Sequence, residues 1–280
     1  MSLIDTFRKN ADGSIDFHPL KEFFRSITFN PNPPNNVIVL APGGRSQLMP
    51  LTAREDGHLF LTKMMCQRTG DATIRFYDPS RCQFWSNNEV HIDTIVGNGA
   101  QPGLLPETVF IKATQSLQFE VRNITLPAVP NTIEFAFGAA KLYHLAAPQD
   151  EVAKLLDQKQ LLTFPYWQTP DNGAFIIPAG GVSQQFSTIA SQFDIEIFAI
   201  NSVSNENFRF DIRYRGDMLA NNAQVNNLVG TGVAGFPYVL PTSFLVKRNE
   251  VLELNFTNLS PINPNTVWFT MIGRAIVLHE

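Results

Sequence analysis

The sequence predicts an all-β chain: two tandem jelly-roll-like antiparallel β-sandwiches, with a short N-terminal helical arm and a helix connecting the two. Three observations predict it. The chain repeats itself with a period of about 135 residues. Short runs alternate between apolar and polar residues and are bounded by Gly, Pro, Asn and Asp. The composition is rich in Phe (23) and Pro (19) and holds only 2 Cys, which suits many strands with Pro-punctuated turns and no disulfide framework.

The repeat is clearest at the C-terminal end of each copy. Pro106-Glu-Thr-Val-Phe-Ile-Lys matches Pro241-Thr-Ser-Phe-Leu-Val-Lys, and Leu117, Phe119 and Val121 fall on Leu252, Leu254 and Phe256. Asn131-Thr-Ile-Glu-Phe-Ala-Phe-Gly138 follows in one copy and Asn265-Thr-Val-Trp-Phe-Thr-Met-Ile-Gly273 in the other, which reads as a one-residue insertion. Upstream, Ala41-Pro-Gly-Gly44 answers Pro178-Ala-Gly-Gly181, Leu59-Phe-Leu61 answers Ile195-Glu-Ile197, Ile74-Arg-Phe76 answers Ile212-Arg-Tyr214, and Ile95-Val-Gly-Asn-Gly99 answers Leu228-Val-Gly-Thr-Gly232.

Within the second copy the strand-like runs fall near 174–177, 183–189, 193–201, 207–214, 224–229, 243–246, 250–257 and 266–278. Leu252, Leu254 and Phe256 share one face of their run, as a half-buried strand requires. No helix of crossover length separates the runs, so a parallel α/β sheet is disfavoured. Greek-key and jelly-roll topologies both fit, with jelly roll preferred.

Helical spacing appears at the head of each copy. Pro148 to Leu162 opens on Pro and acids and carries Val152, Leu155 and Leu156, predicting the connecting helix. Pro19 to Ile27 places Leu20, Phe23, Phe24 and Ile27 on one helical stripe. That stripe suits a helix packed on its own sandwich. The alternative is an arm, with Leu3, Ile4 and Phe7 as further anchors for a neighbouring subunit. The expected division is an arm over 1–28, a first sandwich over 29–147, and the connecting helix with a second sandwich over 148–280.

Function classes are narrowed mainly by what is missing. Charged residues make up 16% of the 280, against about 25% usually, and a surface so poor in charge is expected to be covered in an assembly. The net charge of −4, with Lys and Arg scattered, offers no footprint for direct nucleic-acid binding. No apolar run reaches the roughly 18–20 residues of a membrane-spanning helix, and a signal-peptide layout is lacking, so a soluble product of the cytoplasm is expected.

No catalytic, cofactor or metal site is predicted. The five histidines, His18, His58, His91, His144 and His279, form no sequence-adjacent pair, so a metal site among them would need tertiary coincidence. Gly97 to Gly103 lacks the Lys-Ser/Thr ending of a phosphate loop and reads as a turn. Asp12 to Asp16 is too short for a calcium loop, and nothing in the spacing of Glu55, Asp56 and Asp93 makes a cation site. Cys66 and Cys82 read as packed thiols. The sequons at Asn123, Asn255 and Asn258 are short patterns expected by chance. Aromatic loop residues are expected at an interface or, less favoured, on a sugar. The candidate assembly interface is therefore Leu3, Ile4, Phe7, Phe23, Phe24, Phe84, Trp85, Tyr166, Trp167, Phe236 and Tyr238.

Two successive jelly-roll-like sandwiches, a helical N-terminal arm, no enzyme motif and an Asn-rich, Pro-rich surface resemble the double jelly-roll major capsid proteins of icosahedral viruses, including small bacterial ones, and the Asn-to-Gly pattern at 123–138 and 258–273 is similar to phage structural proteins generally. That resemblance covers architecture and rests on no diagnostic motif. It implies self-assembly of homotrimers into a shell, with the arm turned inward toward other virion proteins or an internal membrane. Other virion components (decoration, vertex, tail-adaptor or receptor-binding proteins) and a non-viral jelly-roll lectin or enzyme are the alternatives.

Overall fold

A computed structural model describes residues 21–26, 37–55, 57–143, 162–218 and 223–277. In chain order the first half forms β1 (Lys21–Ser26), β2 (Val37–Leu40), β3 (Met49–Thr52), β4 (Gly57–Arg68), β5 (Ala72–Asp78), β6 (Gln83–Phe84), β7 (Val90–His91), α1 (Ile92–Ile95), β8 (Gly103–Ile111), β9 (Ser116–Asn123) and β10 (Asn131–Tyr143). The second half repeats the same order. It runs β11 (Thr163–Gln168), β12 (Phe175–Ile177), β13 (Val182–Thr188), β14 (Phe193–Ser204), β15 (Phe208–Tyr214), β16 (Asp217–Met218), β17 (Val225–Asn226), α2 (Asn227–Gly230), β18 (Tyr238–Val246), β19 (Val251–Asn258) and β20 (Asn265–Val277).

Each half folds into two antiparallel sheets. In the first half β1 and β2 both pair with β10, which continues to β4 and β8; the facing sheet runs β3-β9-β5, with β6 and β7 along the free edge of β5. The second half gives β11 and β12 on β20, then β14 and β18, facing β13-β19-β15 with β16 and β17. The last strand of each half inserts between its first two strands and its fourth (β10 between β1/β2 and β4, β20 between β11/β12 and β14), and the third, fifth and ninth form the facing sheet, which selects jelly roll over the other Greek-key sandwiches.

Alternation drives the layering. β9 buries Leu117, Phe119 and Val121, and β19 buries Leu252, Leu254 and Phe256, each set on the face toward its partner sheet. The ring-rich centre of the first sandwich packs Phe76 on Phe119 and Phe137, and Phe135 on Phe119 and Phe137, with ring centroids 5.2–6.5 Å apart. The two cores are not separate: buried side chains of both halves form one continuous cluster through Trp85 and Trp167.

The repeat landmarks have a structural reason. Asn123 is buried, and its amide donates to the carbonyls of Leu40, Ala41 and Val129 while its oxygen accepts from the Thr125 amide. Asn258 repeats this with Ile177, Pro178, Asn263 and the Ser260 amide. Asn131 and Asn265 do the same work one turn later, accepting from the amides of Gly70 and Glu206. These asparagines satisfy loop carbonyls and amides that burial would otherwise orphan.

Several sequence expectations are corrected. Lys21–Ser26 is a strand, not a helix, and each residue pairs with β10 from Lys21↔Lys141 to Ser26↔Ala136. An apolar stripe this short fits either period, and the open edge of β10 decides between them. The boundary at residue 28 therefore cuts through the first sandwich. The Tyr166-Trp167 loop is strand β11, whose Pro165 is tolerated because β11 lies at a sheet edge. The run at 224–229 is the short β17 followed by α2. Of the connecting helix, only Leu162 lies among the described residues, and it is helical. His18, His144 and His279 lie outside them.

Register also changes. Ile74 pairs with Val121 as Phe210 pairs with Phe256, so Phe210 rather than Ile212 is the counterpart of Ile74. A slip by two leaves every side chain on its face, which is why periodicity did not reveal it. β10 and β20 are both 13 residues long, so no insertion separates Asn131–Gly138 from its counterpart; Ile272 answers Gly138. Gly97 answers Gly232, because each bridges the same point of the neighbouring strand, at Met65 and Asn201.

Candidate assembly surface

The joint between the sandwiches is built from the α1 side of the first and the outer face of the β11-β20-β14 sheet of the second. The Trp167 amide donates to the Trp85 carbonyl at 2.8 Å, and the Trp167 ring lies 5.5 Å from Phe76 and 6.2 Å from Trp85. Beside them Asn87 exchanges hydrogen bonds with Thr169 (2.8 and 2.9 Å), and Asn88 donates to the carbonyls of Pro170 and Asp171. At α1 the Thr94 hydroxyl meets Thr270 at 3.0 Å, the Thr94 carbonyl accepts from the Asn201 amide at 2.6 Å, and the Ala234 amide donates to Asp93. Arg274 reaches Glu107 at 3.3 Å, and His91 packs against Trp268. An apolar centre with polar groups paired around it is the anatomy of a permanent interface.

The placement of the predicted interface residues follows. Trp85, Tyr166 and Trp167 are buried inside the chain, with Trp167 only 1% exposed; Trp85 and Trp167 meet across the joint, the Tyr166 ring packs on Phe164 and Phe193 within the second sandwich, and none is free to bind another subunit. Their aromatic character, read as loop exposure, reflects this burial. Phe84 is half-buried beneath the Arg75 guanidinium, 3.7 Å from its ring centroid. Phe23 and Phe24 lie in β1, opposite Ala139 and Gly138. Phe236 and Tyr238 are exposed. Leu3, Ile4 and Phe7 lie outside the described residues.

Sequence reading missed the neighbours of Phe236. Leu228, Val229, Val233 and Val239 are exposed as well, and a cleft of about 630 Å³ opens beside them, lined by Ile200, Phe210, Val225, Tyr238, Leu240 and Phe244. Their sequence looked like an ordinary strand followed by a turn. The only signal that could have found them is comparison with the first copy, where the positions of Leu228, Val229 and Val233 hold the polar Asp93, Thr94 and Asn98.

Tertiary structure does bring a histidine together with acids. Ligand atoms of Asp71, His91 and Asp93 lie within 4.8 Å of one another. Arg68 is already bound to both carboxylates, and His91 Nδ1 accepts the Asp93 amide as the cap of α1. A cation would have to displace the guanidinium, so the residues present fit an ion-paired cap rather than a metal site. Burial holds the His91 imidazole down to about 4, so it is neutral near neutral pH. Burial pushes the Cys66 thiol up to about 12, so Cys66 is a packed, protonated thiol as expected. Cys82, by contrast, is exposed at a turn with positive φ (51°).

Strand order and the shared core define the class: a double jelly-roll protein, two like sandwiches fixed side by side in one chain. No protein-family model matches it, and no curated protein matches it either. Among solved structures it is similar to the major capsid protein P2 of bacteriophage PM2, at 9% identity and a TM-score of 0.43 over 93% of this chain and 99% of that one. It is also similar to a chain of the Sulfolobus turreted icosahedral virus (11% identity, TM-score 0.24, 88% of this chain and 62% of that one). A hazelnut (Corylus avellana) vicilin is similar at 10% identity and a TM-score of 0.20, over 86% and 73% of the two chains. The topology described above, not these distant likenesses, defines the class.

Proposed function

We propose that this chain is a virion structural protein, the major capsid protein of a bacterial virus, and that it assembles as pseudo-hexameric homotrimers into an icosahedral shell. The observation that carries the reading is the joint: two jelly rolls of matched strand order are welded through one core into a single building block. A block with two like halves lets three copies present six similar sides to their neighbours, and closed symmetry is built from repeated patches. Low charge content supports the same reading, because a covered surface needs little of it.

The role is structural and not catalytic. The chain's partner is itself, without sequence-specific nucleic-acid contacts, and its place is the virion after synthesis in the host cytoplasm. The segment ahead of β1 serves as the arm toward other virion proteins or an internal membrane. Electron microscopy of the purified full-length protein tests this reading. Trimers, hexagonal sheets or shells are expected, and a lone monomer that binds an oligosaccharide overturns it.

A further inference from the structure

We infer that the exposed α2 face of the second sandwich docks on the outer face of the first sandwich of another copy, repeating between chains the joint that binds the two sandwiches within one. This rests on the self-assembling reading above and names the two surfaces that carry it.

The repeat supplies the correspondence. α1 and α2 are capped alike, by the side chains of His91 and Asn226, which accept the amides of Asp93 and Leu228. Leu228 therefore stands at the position of Asp93, and Val229 at that of Thr94. Gln101 and Phe236 also correspond, since their carbonyls accept the amides of Asn98 and Val233, each one residue beyond the bridging glycine. In the first copy the centre of this face is covered: Thr94 is fully buried against Thr270 and Asp93 is half-buried, while Gln101 at the rim stays exposed. In the second it is bare, with Leu228 69%, Val229 68% and Phe236 63% exposed. The bare copy is also the more apolar one. Single exposed apolar residues are ordinary, but a contiguous group with an open cleft beside it marks a surface that is covered in use.

The matching socket is present on the first sandwich. Ala136 stands where the second sandwich has Thr270, and Glu134 where it has Trp268, because β10 and β20 share length and register. Glu134 is exposed, and Ala136 is half-buried with a side chain small enough to admit a valine. Docking would also set the Glu134 carboxylate beside the Asn226 amide, where His91 and Trp268 meet within the chain. Each chain thus carries one free plug and one free socket, on different sandwiches. Such a head-to-tail contact closes a ring when the rotation permits, and two sandwiches per chain make that ring pseudo-sixfold at three copies.

The test is a paired cysteine. Thr94 and Thr270 touch within the chain, so Val229→Cys and Ala136→Cys should touch between chains. In a Cys82→Ser background, which removes the exposed native thiol, mild oxidation of the doubly substituted full-length protein is expected to give disulfide-linked dimers and trimers on non-reducing gels. Either cysteine alone is expected to give none. Independently, Val229→Glu is expected to lower the mass in sedimentation threefold, from trimer to monomer, with an unchanged circular dichroism spectrum. A trimer that stays unlinked and survives Val229→Glu overturns the pairing and leaves the capsid reading standing. An unsubstituted chain that is monomeric at every concentration overturns both.

Discussion

Asn123 and Asn258 carry the repeat's most visible landmarks, and each spends its amide on three loop carbonyls. Replacing Asn123 with Ala leaves those acceptors buried without a donor, and chemical denaturation is expected to show a loss of about 3 kcal/mol. The sequence displayed the asparagines plainly but not their task, since a sequon and a carbonyl clamp look alike until the loops are in place. His91 behaves differently. In the unfolded chain an ordinary imidazole takes its proton near pH 6.5, but in the folded chain burial delays this to about pH 4. Between those values the unfolded state binds more protons. Stability from this group is therefore full above pH 6.5, falls as pH drops through the window, and is lower by about 3 kcal/mol once pH passes 4. His91→Asn adopts the cap that Asn226 already provides in the second half, so its urea-unfolding free energy is expected to lose this pH dependence while keeping the helix cap.

Elements with long, clean alternation, such as β9 and β19, were legible because each apolar residue had one face to occupy. The short elements were not. β1 has only six residues, and its stripe of Phe23 and Phe24 satisfied a helical spacing as well as a strand. α1 and α2 are single turns set by the strands around them, so their residues carry no helical period of their own. The glycines after these turns show how closely the backbone is drawn in. A Cβ on Gly97 would collide with the Gln101 carbonyl and the Gly103 amide, and one on Gly232 with the Phe236 carbonyl and the Tyr238 amide. Gly97→Ala is expected to push the loop before β8 off β4 and to lower thermal stability by at least about 2 kcal/mol, measured by calorimetry. Gly232→Ala should cost a similar amount, because the same approach is made in both halves.

At the scale of the whole molecule the joint makes one folding unit of two sandwiches. Trp167→Ala empties the centre of that joint. The expected result is a loss of about 3–5 kcal/mol, with a single thermal transition splitting into two as the halves uncouple; one unsplit transition at the original temperature would contradict the shared core. Deleting residues 1–16 tests the arm separately, and assembly that proceeds unchanged without them refutes its role. By itself the sequence determined the duplication, the all-β class and the strands with strict alternation, because these follow from a two-residue period that any neighbour must respect. Only the tertiary structure decided the register of the copies, the strand at 21–26, and the burial of Trp85, Tyr166 and Trp167. The physical reason is that a slip by two residues, an edge strand or an aromatic pair looks the same along the chain. Which of two like faces is covered depends on where the other half of the molecule comes to rest.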